Sequence, residues 1–180
     1  LNSRIAGTQA EAQLLYKAEP FNLIAGLGAY SLNVDLTDQP DTTATQQNIY
    51  SYGYIKIPDN VIWTVGLSYE SDENPNANLN KLNPKLGVQW AINDQVSLRA
   101  AAFQTVKRVF TTQQTIEPTQ VAGFNQLLDY VDTTVSKNYG TALDVRFNKQ
   151  LFGGLGALKR DNDVPFGQLA VPEFYEVVSS

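Results

Sequence analysis

The feature that most restricts this chain is the length over which its side chains alternate. In residues 60–70, Val61, Trp63, Val65, Leu67 and Tyr69 oppose Asn60, Thr64, Gly66, Ser68 and Glu70, with Ile62 the one exception. In 139–147, Tyr139, Thr141, Leu143, Val145 and Phe147 oppose Gly140, Ala142, Asp144 and Arg146. A period of two marks a strand with one wet and one oily face. Runs of about ten residues exceed the usual five or six of a globular strand. They match the roughly 9 to 11 residues that a tilted strand needs to cross a bilayer. Alternation alone does not say whether the oil is a protein core or lipid.

The same reading along the chain gives about eight strands, at 8–17, 22–36, 48–57, 60–70, 83–92, 95–105, 139–147 and 151–160. The faces of the second and third are hard to tell apart, because Ile49, Ile55 and Ile57 oppose Tyr50, Tyr52 and Tyr54. Short turns at Glu19-Pro20, Pro58-Asp59, Asn93-Asp94 and 148–150 are expected to alternate with long polar links at 37–47, 71–82 and 106–138. Short turns at one end and long loops at the other are the pattern of outer-membrane barrels. Tyr16, Phe21, Trp63, Trp90, Phe147 and Phe152 fall near the short turns, as an aromatic girdle at the headgroup level would place them. Aromatics anchoring strand ends in a soluble core would give the same pattern.

Composition excludes much chemistry. The chain has no Cys and no His. It therefore lacks thiolate ligands, the commonest general base and the usual activator of a serine nucleophile. An enzyme is not expected, nor is a cofactor or a metal. The net charge of -5 argues against a nucleic-acid partner. No apolar stretch reaches the length of a transmembrane helix, so a membrane role must come from strands. The chain opens on Leu1-Asn2 and contains no Met, which reads as a mature product or an excised piece.

Lys85, Gln89, Arg99, Asp144 and Arg146 punctuate the polar face. In a membrane barrel they line the lumen; in a soluble barrel they face solvent. The link 106–138 is longer than the roughly 12 to 15 residues of a passive loop. Its Val121, Phe124, Leu127, Leu128 and Val131 have near-helical spacing. They suggest a short helix or a strand extension on the barrel mouth, acting as an anchor, a constriction or a ligand contact. Lys107 and Arg108 are placed to meet anionic headgroups or lipopolysaccharide, or to mark a solvated strand end. Asp161-Asn162-Asp163 reads as a polar loop, and 68–80 as an acidic, turn-rich one with a weak potential for divalent cations.

The segments "LNPKLGVQWAINDQVSLRAAAFQTVKR", "TIEPTQVAGFNQ" and "YGTALDVRF" carry a resemblance. Together they resemble the barrel of outer-membrane proteins that place tetratricopeptide repeats before a β-barrel. More distantly they are similar to TonB-dependent receptor barrels. The order is Pro84 to Gly87, Asn93-Asp94, 97–105, Glu117-Pro118 and Tyr139-Gly140. The resemblance covers about residues 45–165. Helical repeats, a plug domain, a TonB box and a closing strand with a terminal aromatic are not evident, so active transport does not carry over.

The expectation is one all-β domain over 1–180, an antiparallel up-and-down meander forming a transmembrane β-barrel or an arc of a larger one. It would sit in the bacterial outer membrane as a channel or receptor for a solute or polymer. Its partners would be the lipid bilayer, lipopolysaccharide, the solute, and remaining barrel strands or other subunits. The rival is a soluble, lipocalin-like barrel of eight strands with its apolar face inside, enclosing Trp63 and Trp90 around a small apolar ligand. A surface adhesive role carried by the loops is a third reading.

Overall fold

The computed structural model describes residues 3–36, 39–74, 77–107, 115–126, 133–164 and 176–179. They form one sheet of nine antiparallel strands, with no helix among the described residues. In chain order these are β1 (Ser3–Ala18), β2 (Phe21–Leu36), β3 (Gln39–Lys56), β4 (Val61–Asn74), β5 (Ala77–Ala91) and β6 (Val96–Val106). A two-stranded hairpin, β7 (Gln120–Val121) and β8 (Phe124–Asn125), stands apart from the sheet. The sheet resumes with β9 (Val135–Arg146), β10 (Phe152–Asp163) and β11 (Glu176–Ser179). Each sheet strand pairs with its neighbour in sequence, and β9 pairs with β6 across the inserted hairpin.

All eight expected strands are present, and most are longer than the alternation suggests. Two of the three expected long loops are mostly strand. Residues 39–47 continue β3, and 71–74 and 77–82 complete β4 and β5, so only two residues separate each of these strand pairs. The polar side chains there hid the strands, but the backbone ladder supplies the pairing whatever the side chain. Glu73 lies opposite Asn78, and Asn33 opposite Thr43, with Thr43 Oγ1 donating to Asn33 Oδ1 at 2.9 Å. Asp161-Asn162-Asp163, expected as a loop, is the end of β10. The tail contributes β11 on the edge of β10.

The short turns are closed by side chains suited to them. Asn93 Oδ1 accepts from the backbone N–H of Gln95 and Val96, both at 2.8 Å. Asn148 Oδ1 accepts from Gln150 and Leu151 N–H at 2.8 and 2.9 Å. An Asn side chain that bonds its own backbone two residues on fixes a tight reversal.

Direct cross-strand partners share a face, so the register assigns every side chain. One row runs Leu27, Ile49, Tyr69, Leu82, and another Trp90, Leu98, Leu143, Leu155. These residues are exposed; Leu155 is 63% and Leu27 56% accessible. The opposite face carries the row Tyr52, Gly66, Lys85, Phe103, Asn138. There Tyr52 and Asn138 are fully buried. The distribution is inverted relative to a soluble domain, with amides, hydroxyls and charges covered and a leucine-rich face open. Trp63 and Trp90 lie on the open face, each 42% accessible. The enclosed tryptophans that a soluble lipocalin-like barrel requires are not there.

Candidate functional site: an inward loop on the polar face

The polar face is covered by the chain's own loop. Residues 115–126 lie against it and touch strands far apart in the sheet. Thr115 Oγ1 donates to Glu11 Oε1 of β1 at 2.7 Å, and Ile116 N–H donates to Glu11 Oε2 at 2.9 Å. Nine residues later, the Phe124 ring fills the space over Gly140 of β9. Six interstrand steps separate β1 from β9, about 29 Å in a flat sheet. Nine residues span about 30 Å only when fully extended, and these include a hairpin turn. The sheet must therefore curl around the loop, and the polar face is its concave side.

The hairpin turn is Ala122-Gly123, with φ of 48° and 83°. Two successive left-handed residues make the type I′ turn that matches strand twist. Val121 and Ala122 are buried with Ala101 and Phe103 of β6. A Cβ on Gly87 would lie 2.8 Å from the Ala122 Cβ and 3.0 Å from Val121 Cγ1, and one on Gly140 would lie 2.6 Å from the Phe124 ring. Two glycines of the polar face thus form the depressions that receive the hairpin.

A buried carboxylate holds the middle of the loop. Glu117 Oε1 accepts from Tyr52 Oη at 2.6 Å, and its Oε2 accepts from Asn48 Nδ2 at 3.1 Å. Gln126 Nε2 donates to Tyr52 Oη at 3.1 Å and to Pro118 O at 2.8 Å. Gln13 Nε2 of β1 donates to Ile116 O at 2.5 Å. Tyr30 donates to Glu11, the same carboxylate that holds Thr115 and Ile116.

The five polar residues picked from the sequence all lie on this face, at three places. Lys85 is buried at mid-sheet, where its Nζ donates to Gln104 O at 3.3 Å and sits 5.8 Å from the Tyr52 ring centre. Gln89 pairs in register with Arg99. Arg99 makes a two-point bond to Asp144, at 2.5 Å from Nε and 2.8 Å from Nη2. Its guanidinium also lies 5.5 Å from the Phe124 ring, so it ties the hairpin to β9. Arg146 lies apart, exposed at the end of β9, 5.4 Å from the Phe152 ring.

Of the six aromatics, Tyr16, Phe21, Trp63 and Trp90 lie on the apolar face by register. Phe147 reaches over Gly153, on the same side. Phe152 pairs with Arg146 and so shares the polar face. Val121 and Phe124, taken from sequence as part of a helical pattern, belong to a β-hairpin instead; Arg108, Leu127, Leu128 and Val131 lie outside the described residues. Sequence reasoning took Glu117 only as part of the Glu117-Pro118 link and missed Asn48 altogether, so neither was read as a site residue. The signal available was Tyr50, Tyr52 and Tyr54 alternating on β3, since a buried phenol needs a partner. Among the described residues no cluster of acidic side chains is arranged to hold a metal.

The fold has clear counterparts. The family described as "TonB dependent receptor-like, beta-barrel" matches residues 5–158. The chain belongs to the TonB-dependent receptor-like β-barrel family. Its members and structural neighbours are outer-membrane proteins of Gram-negative bacteria, receptors and transporters rather than enzymes. The ferric enterobactin receptor of Pseudomonas aeruginosa superposes with a TM-score of 0.64 at 14% identity, over 89% of this chain and 27% of the receptor. The siderophore receptor PirA of the same organism gives 0.66 at 16% identity, over 89% of this chain and 32% of that one. The receptor in the FpvAI–pyocin S2 complex gives 0.58 at 11% identity, over 98% of this chain and 29% of that one. The chain therefore spans about a third or less of these receptors. No curated protein matches its sequence. Of the two resemblances read from the sequence, the TonB-dependent one is established, and the tetratricopeptide-repeat type finds no support.

Proposed function

We propose that the chain is a section of an outer-membrane receptor barrel that admits a solute, with residues 115–126 forming a constriction on its inner wall. The observation that supports this most is the inversion of the two faces. A face of exposed Leu, Ile, Val and Trp is stable only if something apolar covers it, and a bilayer covers all of it at once. The opposite wall, with Lys85, Gln89, Arg99 and Asp144, then lines an aqueous lumen, and Tyr16, Phe21, Trp63, Trp90 and Phe147 form the girdle. Irregular backbone at membrane depth is tolerated where it lines a cavity, which is where the loop lies.

Among the described residues β1 has no partner on its outer side. An unpaired edge in lipid leaves backbone groups unsatisfied at several kcal/mol each. Further strands of the same barrel are the natural cover for that edge. The solute itself is not specified by the neighbours, which bind siderophores or pyocin by their own titles.

The test is the solvent in which the β-sheet forms. Residues 1–180 should show strong β-sheet circular dichroism in detergent or lipid, and should aggregate in plain buffer. A monodisperse β-rich form in buffer alone would reject the membrane reading.

A further inference from the structure

The apolar face of the sheet carries a groove of about 610 Å³. It crosses β1 to β5 between two cross-strand rows. One row runs Ala12, Leu27, Ile49, Tyr69, Leu82, and the next runs Leu14, Ala25, Ser51, Leu67. Short side chains at Ala12, Ala25 and Ser51 make the floor, and Leu27, Ile49 and Leu67 make the walls. None of the residues that line it is charged.

The two ends of the groove differ. Beyond Tyr69 and Leu82 the outward positions turn polar, with Ser71 opposite Asn80. Tyr69 Oη donates to Asn80 Oδ1 at 3.1 Å. A tyrosine at the edge of an apolar belt sits at headgroup level. At the other end, the next outward pair beyond Ala12 and Leu27 is Ala10 and Ala29, so apolar surface continues there. The strand ends give the same order of depth. β1 runs from Ala12 to Ala18 before its short turn, and β5 from Leu82 to Ala91. The Leu82 end is therefore farther from the short turns, by about 10 Å along the strands.

We propose that this groove is a site for one acyl chain of a membrane lipid, with the headgroup beside Tyr69 and Asn80 and the tail running toward Ala12. Four interstrand steps make the groove about 19 Å long. One leaflet holds about 15 Å of a roughly 30 Å hydrocarbon core, so a chain lying obliquely in its leaflet matches that length. Water does not fill a space lined this way, because apolar cavities stay dry. Left empty, the lining forfeits its dispersion contacts. A chain of methylenes follows the floor, restores those contacts and needs no hydrogen bond along its length. The site rests on the membrane reading above and adds to it. The rest of the outer face exchanges lipid freely, whereas this groove retains one molecule.

The experiment uses the methyl-labelled chain folded in perdeuterated detergent, with dipalmitoylphosphatidylethanolamine titrated in. Nuclear Overhauser contacts from palmitoyl methylenes to the methyls of Leu27 and Ile49 are expected to saturate near one lipid per chain. Leu98 and Leu143 lie on the same face outside the groove, and their contacts should rise without saturating. Ser51→Leu raises the floor and should weaken the saturable binding at least tenfold. Ala25→Leu should do the same, and serves if the first variant does not fold. Ala100→Leu adds the same bulk between Val88 and Thr141, outside the groove, and should leave the binding unchanged. Contacts that rise alike at all four residues would overturn the site, as would saturable contacts that survive both groove-filling changes. Contacts at Leu27 and Ile49 that come from a second, unlabelled copy of the chain would overturn it too. A chain that needs detergent to fold and contacts lipid uniformly sinks this site alone. A chain that folds in plain buffer sinks the membrane reading with it.

Discussion

Replacing Glu117 by Ala releases the inward loop while leaving the sheet intact. The carboxylate holds two buried partners, Tyr52 Oη at 2.6 Å and Asn48 Nδ2 at 3.1 Å. Hydrogen bonds to a charged group contribute about 1.5–3 kcal/mol each, and the partners left behind lose their bonding. Gln126 still bonds Tyr52, which limits the loss. The expected change in the free energy of loop opening is about 3 kcal/mol, roughly a hundredfold more open loop. The nine-stranded ladder does not use Glu117, so the sheet signal stays. Amide exchange at Val121 and Phe124 should accelerate by about that factor, and chymotrypsin should cut after Phe124. Glu117→Gln keeps the shape and one acceptor, so its effect should be about half as large in free energy. Exchange as slow as in the parent chain would mean that Gly87 and Gly140 hold the hairpin without the carboxylate.

The second large effect depends on what covers the outer face. Leu67 lies on the apolar face of β4, opposite Ser51 and Pro84, and is 45% accessible. In a bilayer, Leu67→Arg places a charge at mid-strand in lipid and should destabilise the folded sheet by about 2–4 kcal/mol. In water the same change would be close to neutral, since an exposed Leu loses no packing and Arg is well hydrated. Urea titration of the chain in lipid vesicles gives the difference directly. Thr64→Arg is an instructive partner, because Thr64 is buried on the polar face beside Tyr54 and Gly87. It should disturb the loop rather than the lipid contact. Equal, small effects for both would contradict the assignment of faces.

The faces themselves were legible because period-two alternation is a local property. Val61 to Tyr69 and Tyr139 to Phe147 reveal their apolar side without any knowledge of the neighbours. The strand order followed from the turn residues, since Asn93 and Asn148 reverse the chain by bonding their own backbone. Strand ends were not legible. At 39–47, 71–74 and 77–81 polar residues dominate both faces, and only pairing with the adjacent strand makes them extended. The loop was not legible for a different reason. Val121 and Phe124 are apolar residues that pack against a polar wall, at the two places where Gly87 and Gly140 leave room. That match joins residues far apart in sequence, and no local pattern encodes it. The tyrosines of β3 were ambiguous by hydropathy, and their place was set by the partners of their hydroxyls, Glu117 for Tyr52 and Gln13 for Tyr50.

The central claim is that the apolar face of this sheet meets lipid, and its two tryptophans report on that face. Trp63 and Trp90 both lie there, and the chain has no others. The decisive measurement is the fluorescence of the folded chain in vesicles whose acyl chains carry bromine, compared with quenching by aqueous iodide. Strong quenching by the brominated lipid and little by iodide is the predicted result. Tryptophans quenched by iodide and untouched by the lipid would contradict the account, because the apolar face would then look at water or at another protein.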